Sequence, residues 1–225
     1  QWDIPVICYF QGEDSFLDSL PDDFRDRCWR LMAERCQDAA ALLAPSKFYA
    51  RMMERRLGMD ADRIRLQING INLEGFQASQ EASDEHPAIG YLARMCEVKG
   101  LPLMIDAFVH LRTQLGNDCA RLKVAGAMTK GDVVLVESLK SKLAQAGVSD
   151  SVEWLPNISR DEKLAFLSSL SLFSVPVQYE EAFGLYGIEA MASSVPIVQP
   201  KASAFPEIIE TTGGGVCVDI DGPAS

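Results

Sequence analysis

From Ala88 onward the chain alternates short apolar runs with amphipathic segments, and this alternation restricts the fold more than any other feature. Ala88–Leu92 reads as a strand and Leu101–Leu115 as a helix. The same pair recurs as Arg121–Ala125 with Val133–Ala146, Val152–Leu155 with Arg160–Ser168, and Leu172–Val177 with Leu185–Ala192. Val195–Gln199, Phe205–Glu210 and Val216–Val218 continue it as strand, helix and strand. Strands separated by helices pair in parallel through right-handed crossovers. The expected fold is therefore α/β: a doubly wound, Rossmann-like parallel sheet with helices on both faces. Its ligand crevice lies beyond the carboxyl ends of the strands.

The preceding segment has the same character. Ile4–Phe10 reads as a buried strand, Asp22–Gln37 as a helix with Phe24, Cys28, Leu31, Met32 and Cys36 near one face, and Ala39–Ala44 as a short strand. Ser46 can cap a helix that runs to about Leu57, where Gly58 stops it. Ile64–Ile68 reads as a strand, followed by the turn signal Asn69-Gly70. Residues 77–87 are polar and without period, so they read as a linker. The chain then divides into part of one Rossmann-like domain at 1–77 and a second domain at 78–225. Gln1-Trp2-Asp3 is no natural start, and Asp221–Ser225 is a turn with no closing element. An excised piece of a longer protein is expected.

Charge and cysteine content narrow the functional class. The net charge is −11, and the acidic excess is concentrated late: residues 76–225 hold 11 basic and 19 acidic side chains, against 10 and 13 in residues 1–75. Nucleic-acid binding by clustered Lys and Arg is disfavoured. Six cysteines without a CxxC pair, and only two histidines, do not form a zinc site or a disulfide scaffold. Reduced thiols in a cytoplasmic protein are expected. No apolar run approaches a membrane span. Trp29, Trp154 and the Met52-Met53 pair are expected to fill core, and His110 to be a packing or surface residue.

The turn after the first strand of the second domain reads Gly90-Tyr91-Leu92-Ala93-Arg94, with no G-x-G-x-x-G, and no Gly-Lys-Ser/Thr occurs anywhere. Arg94 and Lys99 stand there instead, followed by Gly100. Two cations where a strand ends and a helix begins can clamp a diphosphate; the plain alternative is a solvated loop. A second constellation is Glu180-Glu181-Ala182-Phe183-Gly184-Leu185-Tyr186-Gly187-Ile188-Glu189. Gly184 permits a tight turn, and the helix opening at Leu185 presents unpaired amides to an anion. Glu181 before that helix and Glu189 within it suit sugar hydroxyls better than phosphate. The plain alternative is a carboxylate that complements the helix dipole and one that is merely a surface helical residue.

Taken together these residues resemble the retaining glycosyltransferases of GT-B architecture, family 4 in particular. Glu181 and Glu189 match the E-x7-E motif; Gly90-Tyr91-Leu92-Ala93-Arg94 through Lys99-Gly100 resembles G-R-L…E-K-G. Glu189–Val198 resembles E-A-M-A-x-G-x-P-V-V, and Pro206-Glu207-Ile208-Ile209 with Gly213-Gly214-Gly215 resembles the closing P-E-I-I…G-G-G. Val124-Ala125-Gly126, Ala44-Pro45-Ser46 and Asn69-Gly70-Ile71-Asn72 resemble further landmarks, so the likeness spans nearly the whole chain.

The resemblance implies a transferase moving a hexosyl-type sugar from a nucleoside-diphosphate sugar to an acceptor hydroxyl with retention, with no metal and no cofactor beyond the donor. It implies that Arg94 and Lys99 contact the diphosphate, Glu181 holds the donor sugar, and Glu189 binds ribose hydroxyls. Backbone amides near Phe183, Gly184 and Leu185 would add to donor binding. The acceptor, whether sugar, lipid or small molecule, is left open, as is peripheral membrane contact of a longer protein. The departures are Gln11 where the family commonly has His, Ser194 where it has Gly, Asn72 where it has Asp, and the missing opening part of the first domain and final helices. They imply that the fragment alone is inactive. A GT-B epimerase or hydrolase, and a non-catalytic partner subunit, are the alternatives. The first would need added acid/base groups in the first domain, and the second would be expected to lose one of the four charged residues.

Overall fold

The computed structural model describes residues 4–78, 87–116 and 119–220. Most of the expected linker, and both terminal segments that read as cut, lie outside the described residues. The chain divides into two units. The first comprises Gln1–Gly70 with Tyr179–Gly184 and Ala202–Ile208; the second comprises Ile71–Gln178, Leu185–Lys201 and Ile209–Ser225.

The first unit holds a parallel sheet of β1 (Ile7–Tyr9), β2 (Ala41–Ala44) and β3 (Ile64–Leu66), in that order. Ile7 lies opposite Ala41, and Leu42 opposite Ile64. Its helices are α1 (Glu13–Asp18), α2 (Asp22–Gln37) and α3 (Lys47–Leu57). α3 forms as its sequence dictates. The Ser46 hydroxyl accepts the Tyr49 amide at 3.0 Å, Gly58 closes the helix at φ 62°, and the i, i+3, i+4 spacing buries Tyr49, Met52, Met53 and Leu57.

Four features of this unit differ from sequence expectation. The expected buried strand Ile4–Phe10 is only the short β1, and Ile4, Val6 and Ile7 are exposed. α1 has no apolar period, yet it forms: buried Asp14 accepts the Tyr49 hydroxyl at 2.6 Å, a bond between residues far apart in the chain. Burial, and then the Asp14 bond, push the Tyr49 phenol far above its ordinary range. α2 is helical over the expected span, but only Cys36 is buried, and Phe24 and Leu31 are exposed. Trp29 is half-buried rather than core; its indole N–H donates to Asp18 at 3.0 Å, and the Arg56 guanidinium sits 5.2 Å from the ring centroid.

The second unit is built on six parallel strands: β4 (Ala88–Leu92), β5 (Arg121–Gly126), β6 (Val152–Pro156), β7 (Leu172–Phe173), β8 (Ile197–Pro200) and β9 (Gly215–Val218). Their spatial order is β6-β5-β4-β7-β8-β9. The chain therefore winds one way from β4 and then the other, and the switch point falls between β4 and β7, where doubly wound sheets bind ligands. The connecting helices are α4 (Leu101–Leu115), α5 (Val133–Gln145), α6 (Arg160–Ser168) and α7 (Leu185–Ala192), with the end of α8 (Phe205–Thr212), whose residues up to Ile208 belong to the first unit. α6 opens with a capping box in which Ser159 and Glu162 satisfy each other's backbone amides.

Tyr91, Leu101, Ile105, Phe108, Leu122 and Phe173 fill the core of this sheet. Trp154 is half-buried, with the Lys140 ammonium 5.8 Å from its ring centroid, and His110 is exposed. β7 is shorter than the expected Leu172–Val177. Pro176 offers no amide to a ladder, and the Val175 amide goes to the Gln199 side chain at 3.4 Å.

Candidate functional site

Arg94 stands just past the carboxyl end of β4, on the turn that the topology brings to the switch point. The turn is held from below by buried Tyr91, whose hydroxyl donates to the Arg94 carbonyl at 2.9 Å. A single 3-10 turn, Glu97–Lys99, follows, and Gly100 then enters α4 at φ 74°. A Cβ on Gly100 would overlap the Pro176 carbonyl oxygen, so the loop after β4 packs on the loop after β7 only because residue 100 has no side chain.

The two cations have different surroundings. The Lys99 ammonium lies 5.5 Å from the ring centroid of Tyr186, the second residue of α7. The lysine is thus brought to the first turn of α7, where the helix dipole favours an anion. Tyr186 in turn rests against Phe173 of β7, ring centroids 6.1 Å apart. Arg94 reaches toward α5, where its Nε and Nη2 donate to the two oxygens of Asp132 at 3.3 and 3.0 Å. Sequence reading did not single out Asp132. Its carboxyl lies well below its ordinary range, near about 2, held there first by the Thr129 hydroxyl and then by Arg94.

Glu189 lies on α7 and is paired with Lys163 of α6, Oε1 to Nζ 2.6 Å, with 19% of the Glu189 side chain exposed. It is not a free surface residue. Lys163 was also missed from sequence, because the pairing joins two helices with no local signal.

Of the other predicted positions, Glu181, Phe183 and Gly184 belong to the first unit. Glu181 accepts the Tyr179 hydroxyl at 2.8 Å, and its backbone amide donates to Ser203 Oγ at 3.0 Å. Ala182 and Phe183 are buried. Gly184 takes φ 83° immediately before α7, a left-handed conformation that glycine adopts without strain. Leu185, which opens α7 in the second unit, is 41% exposed. Within each unit the predicted residues thus occupy built positions: Arg94, Lys99, Leu185 and Glu189 in the second, Glu181, Phe183 and Gly184 in the first.

A concavity of about 670 Å³ lined by Ala88, Arg121, Lys123, Glu153 and Ser171 lies at the amino ends of β4, β5 and β6. That is the end of the sheet opposite Arg94, and ligands of doubly wound sheets sit at carboxyl ends. Two Asp-x-Asp triplets also occur, Asp60-Ala61-Asp62 in the turn before β3 and Asp219-Ile220-Asp221, whose last member lies outside the described residues. Among the described residues, no three His, Cys, Asp or Glu side chains gather as a metal would require.

Comparison with known proteins identifies the family and the fold. Residues 1–74 match the model of Glycosyltransferase Family 4. A D-inositol 3-phosphate glycosyltransferase of Streptomyces bingchenggensis is 24% identical over 197 residues, 83% of this chain and 43% of its own length. A lipopolysaccharide core biosynthesis mannosyltransferase of Rhizobium leguminosarum bv. viciae is 31% identical over 165 residues, 69% of this chain and 46% of its own. The crystal structure of Anabaena HepE in complex with UDP and glucose superposes with a TM-score of 0.77 at 20% identity, covering 96% of this chain and 58% of that one. The chain spans about half the length of the curated relatives it matches. The α/β fold, with parallel sheets and helices, matches GT-B glycosyltransferase structures. Residues 74–224, the greater part of the chain, match the model of the Glycosyl transferases group 1, and the chain belongs to that family.

Proposed function

We propose that the protein of which this chain is part transfers a sugar from a nucleoside-diphosphate sugar to an acceptor hydroxyl with retention. The observation that carries the reading is Lys99, a cation held at the first turn of α7 by the Tyr186 ring, with Arg94 on the turn of the neighbouring strand. Fixed cations beside a helix start match a departing diphosphate, whose negative charge grows as the glycosidic bond breaks. Preorganised charge stabilises that departure without rearrangement, in the place of a divalent ion. Glu181 and Glu189 then take hydroxyls of the donor sugar and of the ribose. UDP and glucose bound to the similar Anabaena structure support a nucleotide sugar as donor. A hexosyl donor and a metal-independent reaction are part of this reading.

Same-face attack lets the leaving phosphate take the acceptor's proton, so no protein nucleophile is required. Retention of Arg94, Lys99, Glu181 and Glu189 together favours a catalytic protein over a subunit that has only kept the fold. Calorimetric titration of the protein against UDP-, GDP- and ADP-sugars tests the reading. Saturable binding of one of these, abolished by Lys99→Ala, is expected. Equal binding by the Lys99 variant would overturn it. Release of free sugar from the donor without any acceptor would instead identify a hydrolase.

A further inference from the structure

We infer that Asp132 is a positioning residue for the donor diphosphate: it holds the Arg94 guanidinium so that its free edge faces the phosphate. The inference rests on the diphosphate-clamp reading above and adds a residue to it.

The geometry supporting this is local to the second unit. A guanidinium has five N–H donors in a rigid plane. Asp132 accepts from one edge, Nε at 3.3 Å and Nη2 at 3.0 Å. Both Nη1 hydrogens and the second Nη2 hydrogen are left, and these form the edge that grips phosphate oxygens in pairs. The Asp132 carboxylate is itself fixed. Its Oδ2 accepts the Thr129 amide at 2.8 Å and the Thr129 hydroxyl at 2.6 Å, and only 6% of its side chain is exposed. The Arg94 side chain is 55% exposed. A solvent-facing arginine samples many rotamers, and ordering it on binding costs affinity. Anchoring it to a buried, immobile carboxylate removes that cost beforehand.

A carboxylate near a phosphate site is by itself repulsive, and this gives the proposal a clear test. If Asp132 acted only through its charge, removing the charge would tighten diphosphate binding. If it positions Arg94, removing the charge weakens binding.

The experiment is calorimetry on the whole chain with UDP, GDP and ADP and their monophosphates, using Asp132→Asn, Asp132→Glu, Arg94→Ala and Arg94→Ala/Asp132→Asn, each checked for folding by thermal melts. Asp132→Asn is expected to weaken the best diphosphate roughly 5- to 20-fold and the monophosphate less than about 2-fold. Asp132→Glu should recover most of the loss. In the Arg94→Ala background, Asp132→Asn should cause no further weakening. Tighter or unchanged binding by Asp132→Asn, with Arg94→Ala still weakened, overturns the inference and leaves the clamp standing. Unweakened binding by Arg94→Ala, or no diphosphate bound by the wild-type chain, overturns the clamp and the inference with it. A second measurement needs no Asp132 variant. In a nitrogen-15 arginine spectrum, the Arg94 Nε–H signal, assigned by its loss in Arg94→Ala, should stay protected from exchange when the diphosphate saturates the protein. Loss of protection on binding means that Asp132 releases Arg94, and overturns positioning.

Discussion

Lys163 Nζ of α6 lies 2.6 Å from Glu189 Oε1 of α7, and both side chains are largely withdrawn from solvent. The ion pair fixes one carboxylate oxygen, and on the proposed reading the other accepts ribose hydroxyls. A ribose stays in place while the sugar–phosphate bond breaks, so its contacts are equal in ground and transition states and act on KM. In the active protein Glu189→Ala should raise KM for the donor by roughly 10-fold and weaken the free nucleoside diphosphate in parallel, with kcat nearly unchanged. Glu181→Ala should mainly lower kcat if, as proposed, it faces the sugar, which moves as the bond breaks. Steady-state kinetics on both variants decides, and an unchanged diphosphate affinity in Glu189→Ala would make Lys163–Glu189 a structural pair only.

Ser46 carries two bonds from a position 2% exposed: it accepts the Tyr49 amide and donates to the Ala182 carbonyl at 2.7 Å. Ser46→Ala removes a helix cap and leaves a buried carbonyl unpaired. A loss of about 2 kcal/mol in urea unfolding is expected. Glu207 supplements the same helix start by accepting the Lys47 and Phe48 amides, each at 3.1 Å. Glu207→Ala should cost about 1 kcal/mol, and Glu207→Gln less.

Gly100→Ala should be severe. The position needs φ 74°, and the new Cβ would meet a backbone carbonyl oxygen that no rotamer change can move. A cost of at least about 2 kcal/mol is expected, with melting shifted down accordingly. A variant as stable as the parent would show that the Pro176 loop yields.

The Arg94–Asp132–Thr129 cluster fixes an acid-side behaviour. The Asp132 pKa is depressed on folding, from an ordinary 3.8 to about 2. A group lowered in the folded state stabilises fully above its unfolded value and loses that contribution as pH falls through its folded value. The difference in stability between wild type and Asp132→Asn should therefore be constant from neutral pH to about pH 4, then shrink toward pH 2. Denaturant midpoints across that range measure it; a difference that grew on acidification would contradict the assigned cluster.

On the proposed reading, in which Arg94 and Lys99 supply the charge, transfer by the active protein should be insensitive to EDTA. Activity lost in chelator and restored by Mg²⁺ or Mn²⁺ would argue against the cation clamp.

What the sequence determined by itself is local. The period of Leu101–Leu115 and of Arg160–Ser168 sets those helices to the residue, and Ser46 and Gly58 delimit α3, because caps and apolar spacing act within a few residues. The motif around Arg94, Lys99 and Glu181–Glu189 is likewise contiguous, so it could be read without a fold. Only the tertiary structure decided where those side chains are held. Asp132 and Thr129 precede α5, Lys163 sits on another helix, and Tyr186 meets Lys99 from across the switch point. No short-range pattern encodes such pairs; they exist because parallel crossovers bring distant loops to one end of the sheet. α1 and the shortened β7 have the same cause. Asp14 is held by Tyr49 and the Val175 amide by Gln199, partners whose bonds outweigh the weak local preferences of the segments they fix.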